Sequence, residues 1–148
     1  MAYVLNYLRT APAPNGNPQQ PLLPGSPPVS HLPLNPVLYL GLAIDSVAPL
    51  LKIKSLRGMA GGGAALQMPV PLGLRQRRRQ AVKWILDAAS KKGDKGSGKY
   101  QFAQKVADEL ISVVEGRSAA WDKRQAIHKL ATSNRANLLL VKRKPSMV

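Results

Sequence analysis

Apolar and polar positions along this chain follow two periods, and each change of period marks a new element. Val37, Leu40, Ile44 and Val47 recur at helical spacing. Asn35 is placed to cap that helix, Pro36 to open it and Pro49 to end it. Leu51-Lys52-Ile53-Lys54 then alternates apolar and basic, as a half-exposed strand does. Leu66-Gln67-Met68-Pro69-Val70 reads as the returning strand, confined to an edge by Pro69 and Pro71. Gly58 and the run Gly61-Gly62-Gly63 supply a flexible tip, so residues 50–71 are expected to form a projecting two-stranded β-ribbon. Helical spacing resumes over 75–92, with Val82, Ile85, Leu86 and Ala89 on the apolar face and Arg79, Lys83, Asp87 and Lys91 on a polar stripe. A further helix from Lys99 to Glu115 turns Phe102, Val106, Leu110, Val113 and Val114 inward and closes at Gly116. Ser118 caps a last long helix whose apolar side is Ile127, Leu130 and Leu138. The expected fold class is mainly α, a helical bundle with a projecting β-ribbon.

Outside these elements the pattern breaks down. Residues 1–10 resemble the last turns of a helix that begins upstream. Residues 11–36 hold nine of the thirteen prolines and read as an extended linker or insert, either a plain spacer or a docking peptide for a neighbour. Residues 37–141 make the folded body, and 142–148 a basic tail.

Charge gives the body a direction. The chain carries 22 Lys plus Arg against 7 Asp plus Glu, a formal charge of +15. Six of the seven acids fall between Asp87 and Asp122, so the basic regions 52–83 and 123–144 lack internal neutralisation. Lys52, Lys54, Arg57, Arg75, Arg77, Arg78, Arg79 and Lys83 all lie in a stretch without a single acid. Such a block repels itself unless an anion neutralises it, and the arginine fork fits a phosphate oxygen pair. Nucleic acid is the expected partner, and an anionic membrane surface the lesser one. No apolar run approaches transmembrane length. With no cysteine, disulfides, thiolate zinc sites and cysteine nucleophiles are excluded.

Other candidate chemistry is thin. Gly93-Asp94-Lys95-Gly96-Ser97-Gly98-Lys99 matches most of a phosphate-binding loop, but Tyr100 stands where a Ser/Thr hydroxyl would hold magnesium, so it reads as an inter-helix loop. His31 and His128 cannot build a metal site alone. His128 lies on a flank with Arg124 and Arg135, where it bonds RNA or backbone or is plainly interfacial. Asp108-Glu109 reads as a solvated face. Asn134, on the apolar side of the last helix, ties it to a loop or faces RNA. Trp84 and Trp121 read as packing residues rather than base-stacking platforms. The Arg124–His128–Arg135 flank is expected to form a second basic surface, distant from the ribbon–helix junction. No catalytic arrangement, metal or cofactor is expected.

In their order and spacing, several of these pieces resemble bacterial-type small-subunit ribosomal protein seven. They run from Ser46-Val47-Ala48-Pro49 through Gln67-Met68-Pro69-Val70, Arg78-Arg79, Trp84-Ile85, Ala88-Ala89 and Lys92-Gly93-Asp94-Lys95. Ala107-Asp108-Glu109-Leu110, Lys123-Arg124, Ile127-His128-Lys129-Leu130-Ala131 and Asn134-Arg135-Ala136 complete the match over 37–137. The Pro-rich insert and the missing basic arm mark an organellar version, foremost of the mitochondrial matrix, with bacterial cytoplasm or plastid as alternatives. The resemblance implies a non-enzymatic constituent of the small ribosomal subunit that binds and organises ribosomal RNA of the 3′ major (head) domain. It further implies neighbouring head proteins as partners, a place near the exit-site tRNA and messenger path, and no membrane. The expected RNA-binding set adds Lys91, Lys92, Lys95, Lys123, Arg124, His128, Arg135, Lys142 and Arg143 to the eight cations of 52–83. The alternative is a basic helical DNA-binding or architectural module, which would need one base-reading recognition helix.

Overall fold

A computed structural model describes residues 1–57, 65–93 and 98–142, with side chains through 139. The glycine tip of the ribbon, Lys95 and Arg143 therefore lie outside the described residues, as does the side chain of Lys142. The element order is α1 (Ala2–Thr10), a 3-10 turn (Val29–Leu34), α2 (Pro36–Val47), β1 (Leu51–Leu56), β2 (Leu66–Pro71), α3 (Leu74–Lys91), α4 (Gln101–Val114), α5 (Ala119–Ser133) and α6 (Asn137–Lys142). Asn35 does cap α2, its side chain accepting from the Leu38 N–H at 3.1 Å. β1 and β2 pair antiparallel from Leu51↔Pro71 to Leu56↔Leu66, so mainly α with a two-stranded ribbon is the observed class.

One core joins α1 to α5 around Leu8, Tyr39, Val47, Trp84, Ile85, Leu110, Val113 and Trp121. Several inward faces differ from those the spacing predicts. On α2 the buried positions are Tyr39, Ala43, Ser46 and Val47, while Val37 is 66% exposed. On α3 they are Ala81, Trp84, Ile85 and Ala89, and Val82 and Leu86 sit at the rim. In both cases the inward face pairs one large aromatic, Tyr39 or Trp84, with small residues such as Ala43, Ala81 and Ala89. Phe102, at the first turn of α4, is also exposed. The last helix is not continuous. It breaks at 134–136, so Leu138 belongs to α6 and Leu130 and Leu138 stay outside the core.

The Pro-rich segment packs back on the body. Leu32 is fully buried, Leu22 and Val29 pack against the core, and the Leu23 N–H donates to Ser46 Oγ at 3.3 Å. Gly116 turns the chain between α4 and α5 at φ +72°, and a Cβ there would lie 2.9 Å from Asn17 and Gln20. Only glycine meets both demands. The proline run thus crosses the α4–α5 turn at van der Waals distance.

Asp108-Glu109 is not a solvated face. Glu109 is 3% exposed, 2.8 Å from Lys92 Nζ, and accepts from Ser118 Oγ at 2.6 Å. Asp108 accepts from the Tyr7 hydroxyl at 3.0 Å, tying α1 to α4. A buried carboxylate persists only when paired and hydrogen-bonded, and here it joins the end of α3 and the start of α5 to the body of α4.

Two substitutions test this core. Trp84→Ala should cost about 3–5 kcal/mol in denaturant unfolding, the usual cost of truncating a packed tryptophan. Glu109→Ala should cost about 1–3 kcal/mol, since Ser118 loses its acceptor while the partly exposed Lys92 regains water. Unchanged midpoints would show that neither side chain is packed as described.

Candidate nucleic-acid interface

Between the ribbon base, α3 and α5 lies a groove of about 630 Å³ whose polar lining is Lys52, Gln76, Arg79, Gln80 and Lys83. Each element contributes for a local reason. The alternation of β1 leaves Lys52 and Lys54 exposed and Leu51 and Ile53 half-buried against the body. On α3, positions 76, 79, 80 and 83 share a face at helical spacing. Gln76 and Gln80 were missed by reading for charge alone, although their spacing from Arg79 and Lys83 places them on that face. α5 closes the groove with Ile127 and Leu130.

A second groove of about 430 Å³ adjoins the first through the shared Leu51, and is lined by Pro69, His128, Thr132, Arg135 and Leu138. The Arg124–His128–Arg135 flank is therefore not a distant surface. Arg77 on α3 and Arg124 on α5 are near enough that the charge of Arg77 lowers the pKa of Arg124, after the larger effect of burial. His128 is also lowered, first by burial and then by Arg124 and Arg77. Both arginines and the histidine occupy one neighbourhood because α3 and α5 pack together there. Arg135 falls in the break after α5, so the expected single helical stripe is interrupted.

The ribbon is clamped to this face. His128 Nε2 accepts from the Leu50 N–H at 3.2 Å, which decides that histidine's role in favour of backbone. Asn137 Nδ2 donates to the Gln67 carbonyl at 2.7 Å, and Asn134 Nδ2 to Gln67 Oε1 at 3.3 Å and to the Leu130 carbonyl at 2.9 Å. Asn134 thus ties the helix end to β2. Trp121 Nε1 donates to the Val113 carbonyl at 2.8 Å inside the core, and the Arg124 guanidinium lies 5.9 Å from its ring centroid.

Two expected binding residues have other work. Arg78 meets Asp45 of α2 through two bonds of 2.7 Å, so the arginine cluster is not free of acids in space. Sequence distance hid that acid. Lys92 is committed to Glu109 and donates to Ser112 Oγ at 3.2 Å. Lys91 is exposed, but 16 residues of helix put it about 24 Å from Arg75, beyond the groove. Arg57, Arg75 and Arg79 are exposed, and Lys123 is half-buried on α5. Among the described residues no group of acids, histidines or cysteines could hold a metal, and no helix is long and apolar enough to cross a membrane.

His128 makes stability depend on pH. Its folded pKa lies below the ordinary value of 6.5, so the unfolded chain binds more protons in the window between the two. Stability should fall as pH drops from neutral through 6.5 toward the folded pKa. His128→Gln keeps an acceptor for Leu50 without titrating, and its unfolding midpoint should be flatter across that window. Equal pH slopes in the two proteins would contradict the placement of His128.

The arrangement is a cationic cleft with amide donors between its charges, suited to the backbone of a folded polyanion. Comparison with known proteins agrees. A small ribosomal subunit protein uS7m of Neurospora crassa is 62% identical over 138 residues, covering 93% of this chain and 45% of its own length. Small ribosomal subunit proteins uS7 of Azotobacter vinelandii and Pseudomonas aeruginosa are 38% identical over 94 residues, covering 64% of this chain and 55% of theirs. This chain thus spans about half the length of the relatives it matches. The family model for ribosomal protein S7p/S5e matches residues 29–135, the stretch that contains both strands of the ribbon, α3, α5 and the whole first groove, and the chain belongs to that family.

Proposed function

We propose that this chain is a structural, non-catalytic constituent of the small ribosomal subunit that binds ribosomal RNA of the head domain through the face formed by β1, α3 and α5. The observation that carries the reading is the continuous groove lined by Lys52, Arg79 and Lys83, with Lys54, Arg57 and Arg75 also exposed on the ribbon and α3. A base-reading DNA module would concentrate its polar groups along one exposed helix. Here they are distributed over a ribbon and two helices, which fits a shaped RNA junction read through its phosphates. The family match and the names of the relatives support the same assignment. The likeness to the Neurospora crassa protein uS7m supports a mitochondrial ribosome in the matrix. Neighbouring head proteins are further partners, and the ribbon reaches toward the exit-site tRNA and messenger path.

The salt dependence of binding tests this directly. Each phosphate contact releases counterions, so loss of one lowers the slope of log K against log salt by about 0.7–0.9. Replacing Arg75, Arg79 and Lys83 by Ala should therefore lower the slope for head-domain ribosomal RNA by about 2. Arg78→Ala should act mainly on stability, because its fork already holds Asp45. An unchanged slope in the triple variant, or equal affinity for duplex DNA of the same length, would refute the reading.

A further inference from the structure

Among the described residues, two arginines on the packed faces of α3 and α5 lack a carboxylate partner and leave a buried Nε unbonded. Arg77 precedes the buried Ala81 and Trp84 by one and two turns on α3, and Arg124 follows the buried Ala120 by one turn on α5. Both side chains are half-buried, and the Nε of each is buried without a hydrogen-bond partner. Among the described residues neither makes an ion pair, while the adjacent Arg78 takes Asp45 with both of its oxygens. An arginine side chain does not escape burial by losing its proton. Two like charges therefore face one helix–helix seam with unmet donors and no carboxylate to meet them. Such a seam is costly as it stands and favourable once an anion enters.

We propose that Arg77 and Arg124 form one anion subsite, in which a single phosphate group bridges the two guanidinium groups beside His128 and completes the packing of α3 on α5. The guanidinium fork matches phosphate oxygens in pairs, and two forks on packed helices, each with a buried and unbonded Nε, favour a position over a diffuse attraction. The Arg124 ring contact with Trp121 holds one fork in place. His128, one turn beyond Arg124 and fixed by the Leu50 N–H, sits where an entering anion changes its surroundings. The charges of Arg77 and Arg124 both hold its pKa down, so neutralising them raises it. In the ribosome the phosphate is a phosphodiester of the bound RNA; that source rests on the function proposed above, whereas the subsite itself does not. Filling the site couples RNA binding to the stability of the protein, since the same anion joins two helices.

The test uses the RNA-free chain. The His128 ring resonances are followed by NMR while inorganic phosphate replaces chloride at constant ionic strength, and the unfolding temperature is measured in parallel. The expected result is a saturable shift, a rise in the His128 pKa and a higher unfolding temperature in phosphate. Arg77→Gln and Arg124→Gln should each weaken the phosphate response about 10- to 100-fold. Arg77→Lys and Arg124→Lys keep the charge and guard against misfolding; they should weaken it less. Arg9→Gln, which removes one charge on α1, should leave it unchanged. Indistinguishable responses to phosphate and chloride, or a phosphate response that survives both Gln variants, would overturn the subsite and leave an adventitious ion only. Adding head-domain RNA then separates the sources: displacement of inorganic phosphate identifies a phosphodiester as the occupant, and retention of phosphate in the complex identifies a free anion. Failure of RNA to bind would count against the proposed function and leave the phosphate result standing.

Discussion

Seven carboxylates face twenty-two cations in this chain, and where the fold puts those carboxylates decides everything else. Glu109 is drawn inside to join Lys92 and Ser118, which fixes the end of α3 and the start of α5 on α4. Asp45 crosses from α2 to hold Arg78. Asp108 receives the Tyr7 hydroxyl and so secures α1. Each of these acids is committed to holding helices together. Among the described residues, Lys52 and Lys54 of β1, Arg75, Arg79 and Lys83 of α3, and Arg77 and Arg124 at the α3–α5 seam make no ion pair. The excess charge is thus concentrated where the ribbon meets the helices.

That face must also be rigid if it is to match a folded RNA, because a mobile ribbon would lose entropy on binding. The rigidity comes from amides and one imidazole, added to the packing of Leu51, Ile53 and Leu66. Gln67, Asn134 and Asn137 fasten β2 to the break between α5 and α6, and His128 fastens the start of β1 to α5. The break in the last helix has a purpose in this arrangement: it turns two asparagines toward the strand. The Pro-rich segment adds to the body elsewhere, meeting the α4–α5 turn through Asn17 and Gln20 and packing Leu22, Val29 and Leu32 on the core.

Local rules were enough for most elements, though not for the break that separates α5 from α6. The cap at Asn35, the alternation of β1, the glycine at 116 and the serine cap at 118 all act within a few residues, and the structure shows each of them. Positions that depend on distant chain were not legible. Asp45 is 33 residues from Arg78, so an acid-free stretch of sequence was mistaken for an acid-free region of space. Glu109 looked solvated because its partners come from two other helices. The inward faces of α2 and α3 were set by which neighbour packs closest, which favours Ala and Tyr39 over the more hydrophobic Val37 and Val82. The two basic regions, separate in sequence, merge because α3 and α5 share a seam. Of the expected binding set, the groove cations were readable from charge, while the carboxylate partners of Arg78 and Lys92 were not.

The central claim is that the basic residues of α3 and α5 form one face. Hydroxyl-radical footprinting of head-domain ribosomal RNA, bound in turn by the unaltered chain, Arg77→Ala and Arg124→Ala, measures it most directly. One face predicts that both variants lose protection at the same or directly adjoining nucleotides. Loss at two separate sets, each variant sparing the set the other exposes, would contradict it.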